Sequence, residues 1–370
     1  ADLPPIVPLF ETIEDLRAAP RILDELLSDA RARAVVTDRA GVVEIVLGYF
    51  DAKRDGGCLA AVWELSEAQR AVLSIGERHE VPVRFFHGGG GPISRGGAQT
   101  GRAIAAQPPG TVRGQLRATE QGEVVSAKYS NRETARTHLE LLGASVLNRA
   151  LASAAGGTAE AERTEGRWTE VMEGLSGDSR AAYRDLIGME DFEDYFLAAS
   201  PVEELSLLHT GSRSSRRPGA AGLDDMRAIP WVFAWSQNRH LVTGWYGLGS
   251  ALDARVRAGG LDELKTMFAE QKLFRLVVDD VEKSLYQTDL GIAARYARLV
   301  EDEGTRQRVF DRISAEHELT VRHVLSITGD EGIAARFPRF RRRIDGARPL
   351  IDRCNAWQVG LLGRYRADPS

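Results

Sequence analysis

Two acidic side chains, a histidine and a set of arginines stand where short apolar runs give way to polar sequence. Glu11 follows Ile6-Val7-Pro8-Leu9-Phe10, Asp51 follows Val42 to Tyr49, and His87 follows Val81 to Phe86. Two carboxylates that meet, with water and substrate oxygens completing the shell, suit a hard divalent cation such as Mg2+ or Mn2+; taken singly, each also suits a helix cap or an ion pair. A histidine beside glycines can donate to an anion or act as acid or base, and it can equally well close its strand. The stretch from His87 to Gly101 is rich in glycine and holds Arg95, Gly96 and Gly97. Such a segment can wrap backbone N–H groups around an anion while Arg95 adds a bidentate donor, although a plain connection has the same composition. Farther along, Arg213, Arg216 and Arg217 occupy a Gly/Ser/Pro-rich loop, and Arg227 precedes an apolar, Trp-rich segment. A guanidinium there can hold a phosphate against a dry wall; a solvated basic loop is the plainer alternative.

The elements that would position these groups follow from periodicity. The first 130 or so residues alternate apolar runs with amphipathic segments, the pattern of β-α units with parallel strands. Thr12-Ile13-Glu14-Asp15 is a helix-capping signature, and Leu16, Ala19, Ile22, Leu23, Leu26 and Leu27 give the helix after it one apolar side. The second strand predicts a Gly-containing loop and then a helix facing inward with Val62, Leu65, Val72, Leu73 and Ile75. A fourth strand is expected within Gln115 to Tyr129, and beyond Asn131 the period becomes helical. Parallel strands gather their C-terminal ends, so Glu11, Asp51 and His87 are expected on one rim, where β/α barrels place their chemistry. Four strands cannot close an eight-stranded barrel. The expected architecture is therefore α/β and helix-rich: half a β/α barrel over residues 1–152, then a large all-α region over 153–370 whose arginine loop completes the anion site. Ser153 to Thr158, rich in Ala and Gly, marks the joint.

Composition narrows the function. Lys and Arg number 48 against 53 Asp and Glu, a net charge of −5, so no whole-molecule field favours nucleic acid or an anionic membrane. Arg336 to Arg343 is the one stretch resembling a nucleic-acid patch, and Phe337 and Phe340 in it fit a helix end better. Ile229 to Trp235 is too short to span a bilayer. Cys58 and Cys354 match no metal or redox spacing, which suits a reducing compartment, by default the cytoplasm. The remaining histidines have no metal-binding spacing, and Trp231, Trp235 and Trp245 are expected in the core. The first residue is Ala rather than Met, so an upstream portion is expected.

The segments VPLFETIEDL, GYFDAKRDGG, FHGGGGPISRGG, QPPGTVRGQLRATEQGEVVSAKY and MRAIPWVFAWSQNR, in this order, resemble the second half of bacterial phosphoenolpyruvate carboxylases. The resemblance continues more loosely through YGLGSAL, DLGIAARYARLV and FPRFRRRID. It implies a helix-rich protein built on an eight-stranded barrel, usually a homotetramer, that makes oxaloacetate and phosphate from phosphoenolpyruvate and bicarbonate. It further implies that Glu11 and Asp51 hold the Mg2+ or Mn2+, that Arg95, His87 and Arg213 are catalytic, and that Arg227, Arg213, Gly96 and Gly97 bind substrate.

Departures qualify that expectation. The family loop reads F-H-G-R-G-G, and Gly89 stands where its arginine belongs, removing one cation from a site that handles two anions. The family's T-A-H-P-T histidine belongs to a first half that this chain lacks. Gln287 takes the place of a family lysine and the chain stops at RYRADPS, which puts feedback inhibition by aspartate in question. Two rivals follow: a non-catalytic binding or assembly module, and a barrel enzyme acting on another phosphorylated acid.

Overall fold

The capping signature at Thr12 does what its chemistry dictates. The Thr12 hydroxyl accepts from Asp15 N at 3.1 Å and the Asp15 carboxylate accepts from Thr12 N at 3.0 Å, starting helix α1 (Ile13–Ser28). The structure, a computed structural model, describes residues 5–88, 100–120, 122–154, 159–207 and 226–368.

Strands β1 (Leu9–Phe10), β2 (Val43–Leu47), β3 (Val83–His87) and β4 (Arg117–Ala118) form one parallel sheet in the order β1-β2-β3-β4. The helices between them are α1, α2 (Ala30–Val36), α3 (Tyr49–Arg78) and α4 (Thr100–Ala105). After β4 the chain is helical: α5 (Gly122–Tyr129), α6 (Arg132–Ala154), α7 (Ala159–Ile187), α8 (Phe192–Ala198), α9 (Val202–Leu207), α10 (Ala228–Gln237), α11 (Leu248–Arg257), α12 (Leu261–Glu270), α13 (Lys272–Gln287), α14 (Leu290–Ala297), α15 (Glu303–Thr328) and α16 (Pro338–Ala367). A helix-rich chain with a four-stranded parallel sheet and helical crossovers is the half-barrel architecture that the sequence predicts.

Two local differences from that expectation have simple causes. Only Arg117–Ala118 of the Gln115–Tyr129 stretch is strand, and Gly122–Tyr129 is helix. The apolar pair Val124-Val125 is compatible with strand or helix, because two adjacent apolar residues do not distinguish the two periods. After β2 no loop separates strand from helix: α3 begins at Tyr49, straight after Gly48, and Gly57 with φ 80° breaks its regular path.

The chain divides into two compact units, one of residues 1–55, 60–174 and 266–280, the other of 56–59, 175–265 and 281–370. In the first, Phe10, Val43, Ile45, Leu47, Val83 and Phe85 pack with Leu16, Leu23 and Leu27 of α1 and with Leu65, Val72 and Leu73 of α3. These strand positions alternate, so one sheet face is covered by helices. The opposite face carries Glu44, Arg84 and Arg117. Glu44 accepts from Arg84 Nε at 2.9 Å and from Arg117 Nη1 at 2.5 Å, and Arg117 lies 4.4 Å over the Phe86 ring.

The second unit is built on aromatic packing. Phe196 lies 4.5 Å from Trp231 and 4.8 Å from Trp235, centroid to centroid, and Phe192 joins them. Trp231, Trp235 and Trp245 are all buried, as their sequence setting predicts. Among the described residues no helix is long and apolar enough to cross a membrane.

Candidate functional site

The C-terminal end of the sheet gathers the predicted acidic groups. Phe10 pairs with Leu47 and Leu47 with His87, so Glu11, Gly48 and Gly88 are the residues immediately beyond three registered strand ends. The register is locked there by Gly48 N to Phe10 O at 2.8 Å, Gly88 N to Leu47 O at 2.9 Å and Thr119 N to His87 O at 2.9 Å. Asp51 lies in the first turn of α3, three residues past Gly48.

Glycines at this rim are required by close approach. A β-carbon on Gly48 would stand 2.8 Å from Glu11 Cγ and 3.0 Å from Glu11 Cα; one on Gly88 would stand 2.8 Å from Leu47 O. Gly48 thus lets the Glu11 side chain lie against the start of the helix that carries Asp51. Both carboxylates are half-buried and both engage other groups of the protein. Among the described residues no cluster of three or more His, Cys, Asp or Glu is arranged to hold a metal. Two carboxylates at an open rim leave coordination positions for water and substrate oxygens, which is the donor set that Mg2+ and Mn2+ accept.

His87 is the last residue of β3 and shares its helix-covered face with Val83 and Phe85, all three buried. Its Nδ1 lies 2.9 Å from the Tyr49 hydroxyl. Burial pushes the His87 imidazole down to about 4, and it also pushes the Tyr49 phenol upward, so both groups are neutral near pH 7. A small cavity of about 220 Å³ opens beyond the end of β4, lined by Thr100, Ala118, Glu120, Lys128, Tyr129 and His138 among others. The largely buried Lys128 ammonium there is paired with Glu120.

Arg227 belongs to the second unit, at the N-cap of α10 with extended backbone (φ −70°, ψ 146°). Its Nε is buried and has no hydrogen-bond partner among the described residues. A buried guanidinium N–H without an acceptor is costly, so a ligand oxygen would satisfy it. Arg95, Gly96, Gly97, Arg213 and the Gly89 departure lie outside the described residues.

Tyr49, the partner of His87, was not singled out from the sequence, and neither was the Glu44-Arg84-Arg117 cluster. A usable signal existed for the latter: a lone Glu inside the apolar run VVEIVL needs a buried partner.

A family model described as phosphoenolpyruvate carboxylase matches residues 2–370. The chain belongs to the phosphoenolpyruvate carboxylase family. It is 52% identical over 368 residues to the phosphoenolpyruvate carboxylase of Methylorubrum extorquens, covering 98% of this chain and 39% of that protein. Against the phosphoenolpyruvate carboxylase of Rhodopseudomonas palustris it is 42% identical over 369 residues, and against that of Nitrosomonas europaea 39% identical over 368, with the same two coverages. The chain thus spans about 39% of the length of these phosphoenolpyruvate carboxylases.

Proposed function

We propose that this chain is the part of a phosphoenolpyruvate carboxylase that carries the metal carboxylates and the phosphate-binding arginines, and that it works together with an N-terminal portion. The observation that carries this reading is the match over residues 2–370, combined with Glu11 and Asp51 emerging at one end of a parallel sheet. The net reaction joins phosphoenolpyruvate to bicarbonate. Bicarbonate oxygen attacks phosphorus, the bond from phosphorus to the enol oxygen breaks, and carboxyphosphate and the enolate of pyruvate result. Carboxyphosphate then splits into CO2 and phosphate, and the enolate carbon bonds to CO2 to give oxaloacetate.

Glu11 and Asp51 would hold Mg2+ or Mn2+, which when bound supplies positive charge to polarise substrate oxygens. Arg227 offers a substrate oxygen its Nε, which has no hydrogen-bond partner among the described residues, and Arg95 and Arg213 match family arginines that neutralise charge on the transferring phosphoryl group. Gly96 and Gly97 add backbone donors. His87, buried and neutral, serves as a hydrogen-bonding group rather than as a base that titrates near pH 7. Gly89 in place of the family arginine lowers the positive charge facing the two anions. The family resemblance supports a homotetramer, and two free thiols at Cys58 and Cys354 suit the cytoplasm.

The test is oxaloacetate formation from phosphoenolpyruvate and bicarbonate by the full-length protein and by this portion alone, side by side. The reading expects metal-dependent turnover from the former and little or none from the latter. No turnover from the full-length protein would favour the non-catalytic module.

A further inference from the structure

The Tyr49–His87 contact joins two parts of the rim that the chemistry must hold in register. Tyr49 is the first residue of α3, and Asp51 lies in the same first turn. His87 closes β3 and is followed directly by Gly88, where the glycine-rich stretch begins. The Tyr49 hydroxyl and His87 Nδ1 are 2.9 Å apart, and both side chains are buried.

The contact ties the start of α3 to the end of β3 inside the covered face of the sheet. A buried phenol and a buried imidazole that share a hydrogen bond hold each other in place, because leaving either one unpaired there is costly.

We propose that Tyr49 is a positioning residue for the carboxylation site: its hydrogen bond to His87 fixes the first turn of α3, and with it Asp51, against the end of β3. The proposal rests on the reading of Glu11 and Asp51 as metal carboxylates. A group that orients a ligand-bearing element typically changes metal affinity by about 10–100-fold when removed. Tyr49 acts one step further out, so the lower end of that range, roughly tenfold, is expected.

The experiment uses the full-length protein and titrates Mn2+ by electron paramagnetic resonance without substrate, comparing the parent with Tyr49→Phe and Asp51→Asn. Tyr49→Phe should weaken Mn2+ binding about tenfold, and kcat at saturating metal should fall by a smaller factor than the affinity does. Should Tyr49→Phe fail to fold, His87→Leu removes the other partner of the same hydrogen bond and must give the same weakening. If Asp51→Asn abolishes Mn2+ binding while Tyr49→Phe lowers only the melting temperature, the positioning role is overturned and the metal assignment stands. If Asp51→Asn leaves Mn2+ binding unchanged, the metal assignment falls and the proposal with it.

Discussion

Glu11 lies so close to Gly48 that a β-carbon at position 48 would stand 2.8 Å from Glu11 Cγ. The backbone of Gly48 (φ −93°, ψ 113°) is open to any residue, so the glycine is held there by space and not by conformation. Gly48→Ala must therefore displace Glu11. The expected cost is about 1–3 kcal/mol of stability from overpacking, together with a marked loss of Mn2+ affinity. Chemical denaturation and a metal titration on the full-length protein check both; unchanged Mn2+ binding would remove Glu11 from the metal site.

Two arginines make a matched pair of controls. Arg227 caps α10 with its Nε buried and unpaired among the described residues, whereas Arg342 is exposed on α16. Arg227→Ala in the complete protein should abolish phosphoenolpyruvate-dependent bicarbonate fixation, and Arg342→Ala should barely change it. Initial-rate measurements at saturating bicarbonate decide between them, and equal effects would count against Arg227.

The basic run that begins at Arg336 is tied into the second unit's interior. Arg336 pairs with Glu282, whose side chain is fully buried, and with Asp330 at 2.6 Å, while Ala334 N donates to Glu282 at 2.9 Å. Burial raises the Glu282 carboxyl above its usual range despite the arginine. Arg336→Ala leaves that carboxylate uncompensated and should cost about 3–5 kcal/mol. Arg336→Ala/Glu282→Leu should recover much of the loss, as read from denaturation midpoints.

Buried histidines make stability depend on acid. His240 bonds Tyr195 at 2.8 Å and burial lowers it to about 3, while His87 falls to about 4, against 6.5 for the exposed ring. The unfolded chain therefore binds more protons than the folded one below pH 6.5. Their contribution is fully present above that pH and is lost as pH falls from 6.5 toward 4 for His87 and toward 3 for His240. Each contributes a slope approaching about 1.4 kcal/mol per pH unit. Unfolding free energies across that window should show it, and His240→Gln should remove one proton's worth.

Much of this was legible in the sequence because it is local. The Thr12–Asp15 capping box spans four residues, and the apolar runs at Val43–Leu47 and Val83–His87 are strands wherever a core covers them. The convergence of Glu11 and Gly48 follows from parallel pairing alone. What escaped depends on register between distant segments. Glu44 meets Arg84 and Arg117 only because β2, β3 and β4 align, and Tyr49 meets His87 from 38 positions away. The fourth strand lies within the expected Gln115–Tyr129 stretch, but its two-residue length and the helix that follows it were not legible, because so short a strand leaves no alternation to detect.

The central claim is that the full-length protein couples bicarbonate attack on phosphorus to carboxylation of the enolate. The most direct measurement supplies 18O-labelled bicarbonate with phosphoenolpyruvate and Mg2+ or Mn2+ and follows the label by mass spectrometry. The account predicts equal amounts of oxaloacetate and phosphate, with one bicarbonate oxygen in each phosphate. Phosphate released without oxaloacetate, or carrying only solvent oxygen, would contradict it.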